Sequence, residues 1–109
     1  MTNRHFGQFE QTLLYAVLSL QDADGGANGP TIRKLIEAQT GRAVSPGAIY
    51  TALTRLEDRG FVTSELGEPT PERGGKRKRH YRMRTSGQAA LRQAETSLAR
   101  MARFARGRS

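Results

Sequence analysis

The chain has no cysteine and no tryptophan, only two histidines, and seven aromatic residues among its 109. Without cysteine there are no disulfide staples, thiolate metal sites or cysteine nucleophiles. His5 and His80 lie far apart in the chain and lack the spacing of a metal-binding pair. No apolar run approaches the roughly 18 residues that a membrane-spanning helix requires, and the N-terminus carries no apolar core of a signal peptide. The expectation is therefore a cytoplasmic protein without membrane contact. No carboxylate pair sits in a glycine cradle or beside a nucleophile, so an enzyme is not expected, and neither a metal nor a cofactor is implied. Acidic residues are also scarce where it matters. Residues 1–72 carry six Lys/Arg against nine Asp/Glu, whereas residues 73–109 carry twelve against one. The net charge of +8 thus comes wholly from the last third. A bias this local reads as an electrostatic footprint for a polyanion rather than as general solubilising charge.

At this length a single small domain with one modest core is expected, of the kind that oligomerisation often helps to stabilise. Phe6, Phe9, Leu13, Ala16, Val17 and Leu20 recur at three- and four-residue spacing, which predicts an amphipathic helix over Gly7–Asp22. A loop rich in Gly, Asp and Asn follows. Pro30 then opens a second helix with Ile32, Leu35 and Ile36 inward and Gly41 as its stop. Ser45 followed by Pro46 is an N-cap and first-turn proline for a third helix, Pro46–Arg59, which Gly60 ends. Phe61–Leu66 fits one short strand and Arg77–Arg84 a second, joined by an extended connection, Gly67–Lys76. Thr85 and Gln88 read as a capping box for a last helix. Along that helix Leu91, Ala94, Leu98, Met101 and Ala105 form a heptad-like seam, too short for a coiled coil alone. They either cover the domain's own core or pair with a second copy.

The order is helix, helix, helix, strand, wing, strand, long helix. The fold class is mainly α with a small β-hairpin: a winged helix-turn-helix over residues 1–84, and a C-terminal dimerisation helix with a basic tail over 85–109. In such folds the third helix enters the DNA major groove and the wing reaches its flanks. On a 100° step, Ile49, Leu53, Leu56 and Gly60 fall on the side that packs. Gly47, Tyr50, Thr51, Thr54, Arg55 and Asp58 fall on the other. Hydroxyls, a phenol and a guanidinium suit phosphate oxygens and base edges. Ser45 can present its hydroxyl and the neighbouring amides to a phosphate. The wing, GGKRKRHYRMR from Gly74 to Arg84, has six Lys/Arg and no acid. Its candidate backbone contacts are Arg73, Gly74, Gly75, Lys76, Arg77, Lys78 and Arg79. Tyr81 reads equally as core or as contact.

The segments FEQTLLYAVLSL, SPGAIYTALTRLEDRGFV, GEPTPERGGKRKRHYR and RTSGQAAL resemble the PadR family of transcriptional regulators over about residues 7–92. The pairing of IYTALTRLEDRGFV with the following wing is the characteristic part. The resemblance implies a dimeric, repressor-like protein that binds a pseudo-palindromic operator in double-stranded DNA. By position it assigns DNA contact to Ser45, Tyr50 and Thr51, and to Gly74, Gly75 and Lys76–Arg79. Glu57, Thr85 and Gly87 match family positions that read as structural. The loop QDADGGANGP is longer and richer in glycine than the family's usual turn. The chain is most like short members whose last helix makes the dimer contact. Relatives can respond to phenolic acids or flat drugs. Here Phe6, Phe9, Tyr15, Phe61 and Phe104 read as core or interface, so an effector would be of unknown identity. The rival reading is a winged-helix module that binds RNA or an acidic protein partner. Single-strand binding would call for aromatics interleaved with the basic residues, and only Tyr81 does this.

Overall fold

A computed structural model describes residues 6–69 and 77–107. Three helices come first: α1 (Gln8–Leu20), α2 (Gly29–Thr40) and α3 (Pro46–Asp58). An antiparallel hairpin of β1 (Val62–Leu66) and β2 (Arg79–Met83) follows, and then α4 (Thr85–Gly107). The expected order and fold class are both present.

Each helix boundary has a local cause. The Gly7 amide donates to Glu10 Oε1 at 3.0 Å and so closes the first turn of α1. Asn28 caps α2, its Oδ1 accepting the Thr31 amide at 3.1 Å, while Thr31 Oγ1 accepts the Asn28 amide at 2.9 Å. Gly41 ends that helix at φ +73°, a left-handed conformation that side chains resist. Ser45 caps α3, its Oγ accepting the Ala48 amide at 3.1 Å, with Pro46 in the first turn. The fourth helix departs from the expected capping box. Thr85 is already helical, and the Gln88 amide bonds the Arg84 carbonyl at 3.0 Å, so Arg84 holds the flanking position. The neighbouring Ser86 hydroxyl instead donates to the Gly60 carbonyl and ties α4 to the end of α3.

The core joins Leu13, Leu14 and Val17 of α1, Ile32 and Ile36 of α2, and Ile49, Leu53 and Leu56 of α3. Phe61, Val62, Tyr81, Ala90 and Leu91 close it from the hairpin and α4. Leu14 belongs to it although it lies outside the periodic set. Outside the core, the Arg59 guanidinium lies over the Phe6 and Phe61 rings at 5.2 and 5.0 Å and pairs with Glu10 at 3.3 Å. This fastens the start of α1 to the end of α3. In the hairpin, Val62 pairs with Met83, Ser64 with Tyr81 and Leu66 with Arg79. That register turns Tyr81 inward, so it is a core residue rather than a surface contact.

Only the first turns of α4 are buried, at Gly87, Ala90 and Leu91. At 1.5 Å per residue its 23 residues span roughly 34 Å, so most of the helix projects past the body it packs on. Leu91 therefore serves the chain's own core, which corrects its place in the expected intermolecular seam. Ala94 is half-buried, whereas Leu98 and Met101 are 68% and 64% exposed and Ala105 is exposed.

Candidate nucleic-acid interface

The cap and proline that start α3 fix the direction of its first turn, and the buried Ile49, Leu53 and Leu56 fix its rotation. The opposite ridge then faces solvent. Gly47, Thr51, Arg55 and Asp58 are exposed, Tyr50 is 62% exposed and Thr54 is half-buried. An exposed phenol, two hydroxyls and a guanidinium along about two and a half turns make a surface able to donate and accept at groove depth. Ser45 lies at the same end. Its oxygen is engaged by the Ala48 amide, but its hydroxyl proton remains a donor for a phosphate.

At the last turn of α3, Glu57 joins the helix to the hairpin. Ser64 Oγ lies 2.8 and 2.9 Å from the two Glu57 oxygens, and Arg79 Nη1 donates to Ser64 Oγ at 3.1 Å. Glu57 is thus structural, as expected. Arg79 is half-buried and uses one of its donors inside the fold. Burial pushes the Tyr81 phenol up from its usual value, with Arg79 acting in the opposite direction. Tyr81 stays neutral as a core member.

Arg77 and Lys78 are exposed at the root of the wing. Arg77 Nε donates to the Gly67 carbonyl at 2.8 Å, which holds its stem against the outgoing arm. Arg73, Gly74, Gly75 and Lys76, the remaining wing residues selected from the sequence, lie outside the described residues. The structure therefore brings Glu57, Ser64, Arg79 and Tyr81 together between the last turn of α3 and the hairpin, while Arg77 and Lys78 stand at the edge of the hairpin.

Sequence reasoning did not single out Arg42. It is exposed in the turn before α3 and lines a groove of about 580 Å³ together with Ser45, Ala48, Phe9 and Ile36. Among the described residues, no group of three metal-ligating side chains occurs, and no helix is long and apolar enough to cross a membrane.

Three helices, a two-stranded wing and a trailing helix define a winged helix protein. The profile of the transcriptional regulator PadR-like family matches residues 13–93, and the chain belongs to that family. No curated protein sequence matches it. A PadR-like transcription factor from Bacteroides fragilis superposes with a TM-score of 0.75 at 17% identity, covering 94% of this chain and 91% of that one. A PadR family regulator from Eggerthella lenta gives 0.65 at 22% identity, over 85% and 76% of the two chains. Bacillus subtilis PadR, solved in complex with operator DNA, gives 0.62 at 21% identity, over 78% of this chain and 45% of that one.

Proposed function

We propose that the chain is a sequence-specific DNA-binding transcriptional regulator, a repressor that grips a pseudo-palindromic operator as a homodimer in the cytoplasm. It acts by binding, without catalysis. The observation that carries this reading is the exposed ridge of α3, from Ser45 to Arg55, together with exposed Arg77 and Lys78 on a hairpin that the Glu57–Ser64–Arg79 network joins to the same helix. A likeness to a PadR solved on operator DNA supports it. In this reading Gly47, Tyr50, Thr51, Thr54 and Arg55 read base edges from the major groove, and the wing residues contact the flanking backbone.

The projecting part of α4 supports the dimer. Leu98, Met101 and Phe104 are 68%, 64% and 60% exposed, and Leu98 and Met101 continue the stripe that Leu91 begins inside the core. A second copy covering them would set the two α3 helices about 34–36 Å apart, one turn of DNA. An effector of unknown identity would act by changing that spacing.

A mobility-shift and footprinting experiment on the DNA upstream of the gene tests the reading. Two protected half-sites, one turn apart, are expected. Tyr50→Ala and Thr51→Ala should weaken the operator complex more than a random duplex of equal length. Equal affinity for operator and random DNA at moderate salt, or a preference for RNA, would overturn the regulator assignment.

A further inference from the structure

The edge of β2 that faces away from β1 is laced to the segment between α1 and α2. The Met83 amide donates to Gln21 Oε1 at 2.8 Å. Arg82 reaches Asp22 Oδ1 at 2.6 Å and the Gln21 carbonyl at 3.1 Å. The Tyr81 amide donates to the Ala27 carbonyl at 2.8 Å, and Asn28 forms a bridge with His80. Followed toward the wing, His80 is the last of these ties. The next bonds, from the Gly67 amide to the Lys78 carbonyl and from Arg77 to the Gly67 carbonyl, join the two arms of the wing to each other.

The His80 side chain is half-buried, and Glu65 stands opposite it across the hairpin. The two long edges of its imidazole each face a glycine. A Cβ on Gly26 would lie 2.8 Å from Nδ1 and 3.3 Å from Cε1. A Cβ on Gly67 would lie 2.9 Å from Cδ2 and 3.0 Å from Nε2. Carbon contacts settle at about 3.5–4.0 Å, so either methyl would have to displace the ring, and a ring leaving one wall meets the other. Gly26 has φ +69°, a second reason for glycine there. Gly67 has no positive φ, so what crowds a side chain there is the ring first, with the Lys78 carbonyl oxygen next at 3.3 Å.

The wall on the helix side is firm. Asn28, two residues after Gly26, is 1% exposed. Its Nδ2 donates to the Gly25 carbonyl at 2.8 Å, and Thr31 Oγ1 donates to the Gly26 carbonyl at 2.7 Å. The socket is thereby continuous with the cap of α2.

We propose that His80 is a positioning residue. Its ring, seated between Gly26 and Gly67, pins the root of the wing to the α1–α2 loop and sets the angle at which the wing meets DNA beside α3. The consequence for DNA rests on the function proposed above, whereas the pin itself does not.

The chain has no cysteine, so nitroxides can be placed on Lys34→Cys and Lys78→Cys and the distance between them measured by pulsed electron resonance without DNA. A narrow distribution is expected in the parent, and a broad one after His80→Ala. Gly67→Ala should shift or broaden the distribution clearly more in the His80 chain than in the His80→Ala chain, where only the Lys78 carbonyl still crowds the new methyl, the signature of a direct contact. Hydroxyl-radical footprints of the unlabelled His80→Ala chain should keep the protection at the centre of each half-site and lose it at the flanks. The salt slope should drop by about 0.9 for each phosphate that the wing no longer reaches. A variant that had merely unfolded would lose the central protection too. Equally narrow distributions with and without His80, or intact flank protection, would overturn the proposal. A parent that protects no duplex would instead overturn the DNA-binding reading, leaving the pin to be judged by the distances.

Discussion

Replacing Gly87 by alanine tests how α4 is seated. Gly87 is buried in the first turn of α4. A Cβ there would lie 2.3 Å from the Phe61 carbonyl oxygen, 3.1 Å from its carbon and 3.3 Å from Met83 Cε. Against an ordinary contact of about 3.5 Å, helix and strand start must separate by roughly 1 Å. The carbonyl cannot turn aside cheaply, because it accepts the Arg84 amide at 3.0 Å. Overpacking of this kind costs about 1–3 kcal/mol, and the better helix propensity of alanine offsets up to about 1 kcal/mol of that. A carbonyl oxygen only 2.3 Å away puts the cost at the upper end of that range, so a net loss of about 2 kcal/mol is expected, which lowers Tm by roughly 8–16 °C in a small domain. Gly107→Ala is the control, since among the described residues nothing beyond its chain neighbours and its own helix backbone stands within 4 Å of its Cβ position. Thermal and guanidinium unfolding should be followed by circular dichroism at one fixed protein concentration, because association would itself raise Tm. A Gly87→Ala chain as stable as its parent would refute the close approach of α4 to Phe61.

Other outcomes follow from the same geometry. Leu98→Glu should give a folded monomer by sedimentation and abolish the two-half-site footprint, since Leu98 is 68% exposed within one chain. A dimer that survived would place the interface elsewhere. Tyr15, whose hydroxyl donates to Glu95, has its pKa pushed up to about 12 by burial first and by Glu95 second. Its folded value exceeds the unfolded one, near 10, so its contribution to stability is complete below pH 10 and fades as pH rises through 12. Tyr15→Phe should remove that part of the alkaline loss, and an identical alkaline profile would show that the Tyr15–Glu95 contact contributes nothing. Arg77→Ala with Lys78→Ala should weaken binding to all duplexes alike and lower the salt slope by up to about 1.8, at 0.9 per phosphate. An unchanged slope would remove the hairpin root from the interface.

The helices and the split of α3 were legible because one period and one cap suffice to place a helical face. Ser45 with Pro46 fixed the start of α3, and Ile49, Leu53 and Leu56 fixed its rotation without knowledge of any distant residue. Depth along α4 was not legible. Leu91 and Leu98 occupy the same stripe, but the body of the domain reaches only the first, and periodicity reports a face without saying where its neighbour ends. Asn28 as the cap of α2 was hidden inside a loop that already held several turn-forming residues. The glycines of that loop read as a departure from the family pattern. The role of Gly26 appears only when His80, 54 positions later, is brought against it, a contact that no local window contains.

The basic stretch shows what charge counting overstates. Gly74–Arg84 holds six Lys/Arg, and a reading by count would assign all of them to DNA. The fold divides them. Arg79 donates into the Ser64–Glu57 network, and Arg82 reaches Asp22 and Gln21 on the far edge of β2. Both still add to the long-range field that attracts DNA. To close on a phosphate, however, either must use the N–H donors that its bonds within the fold leave over, and the charge of Arg82 is already paired with Asp22. The salt slope of binding should therefore fall short of the value implied by counting cations. Losing Arg79 or Arg82 should also disturb the wing's geometry, an effect that losing Lys78 would not produce.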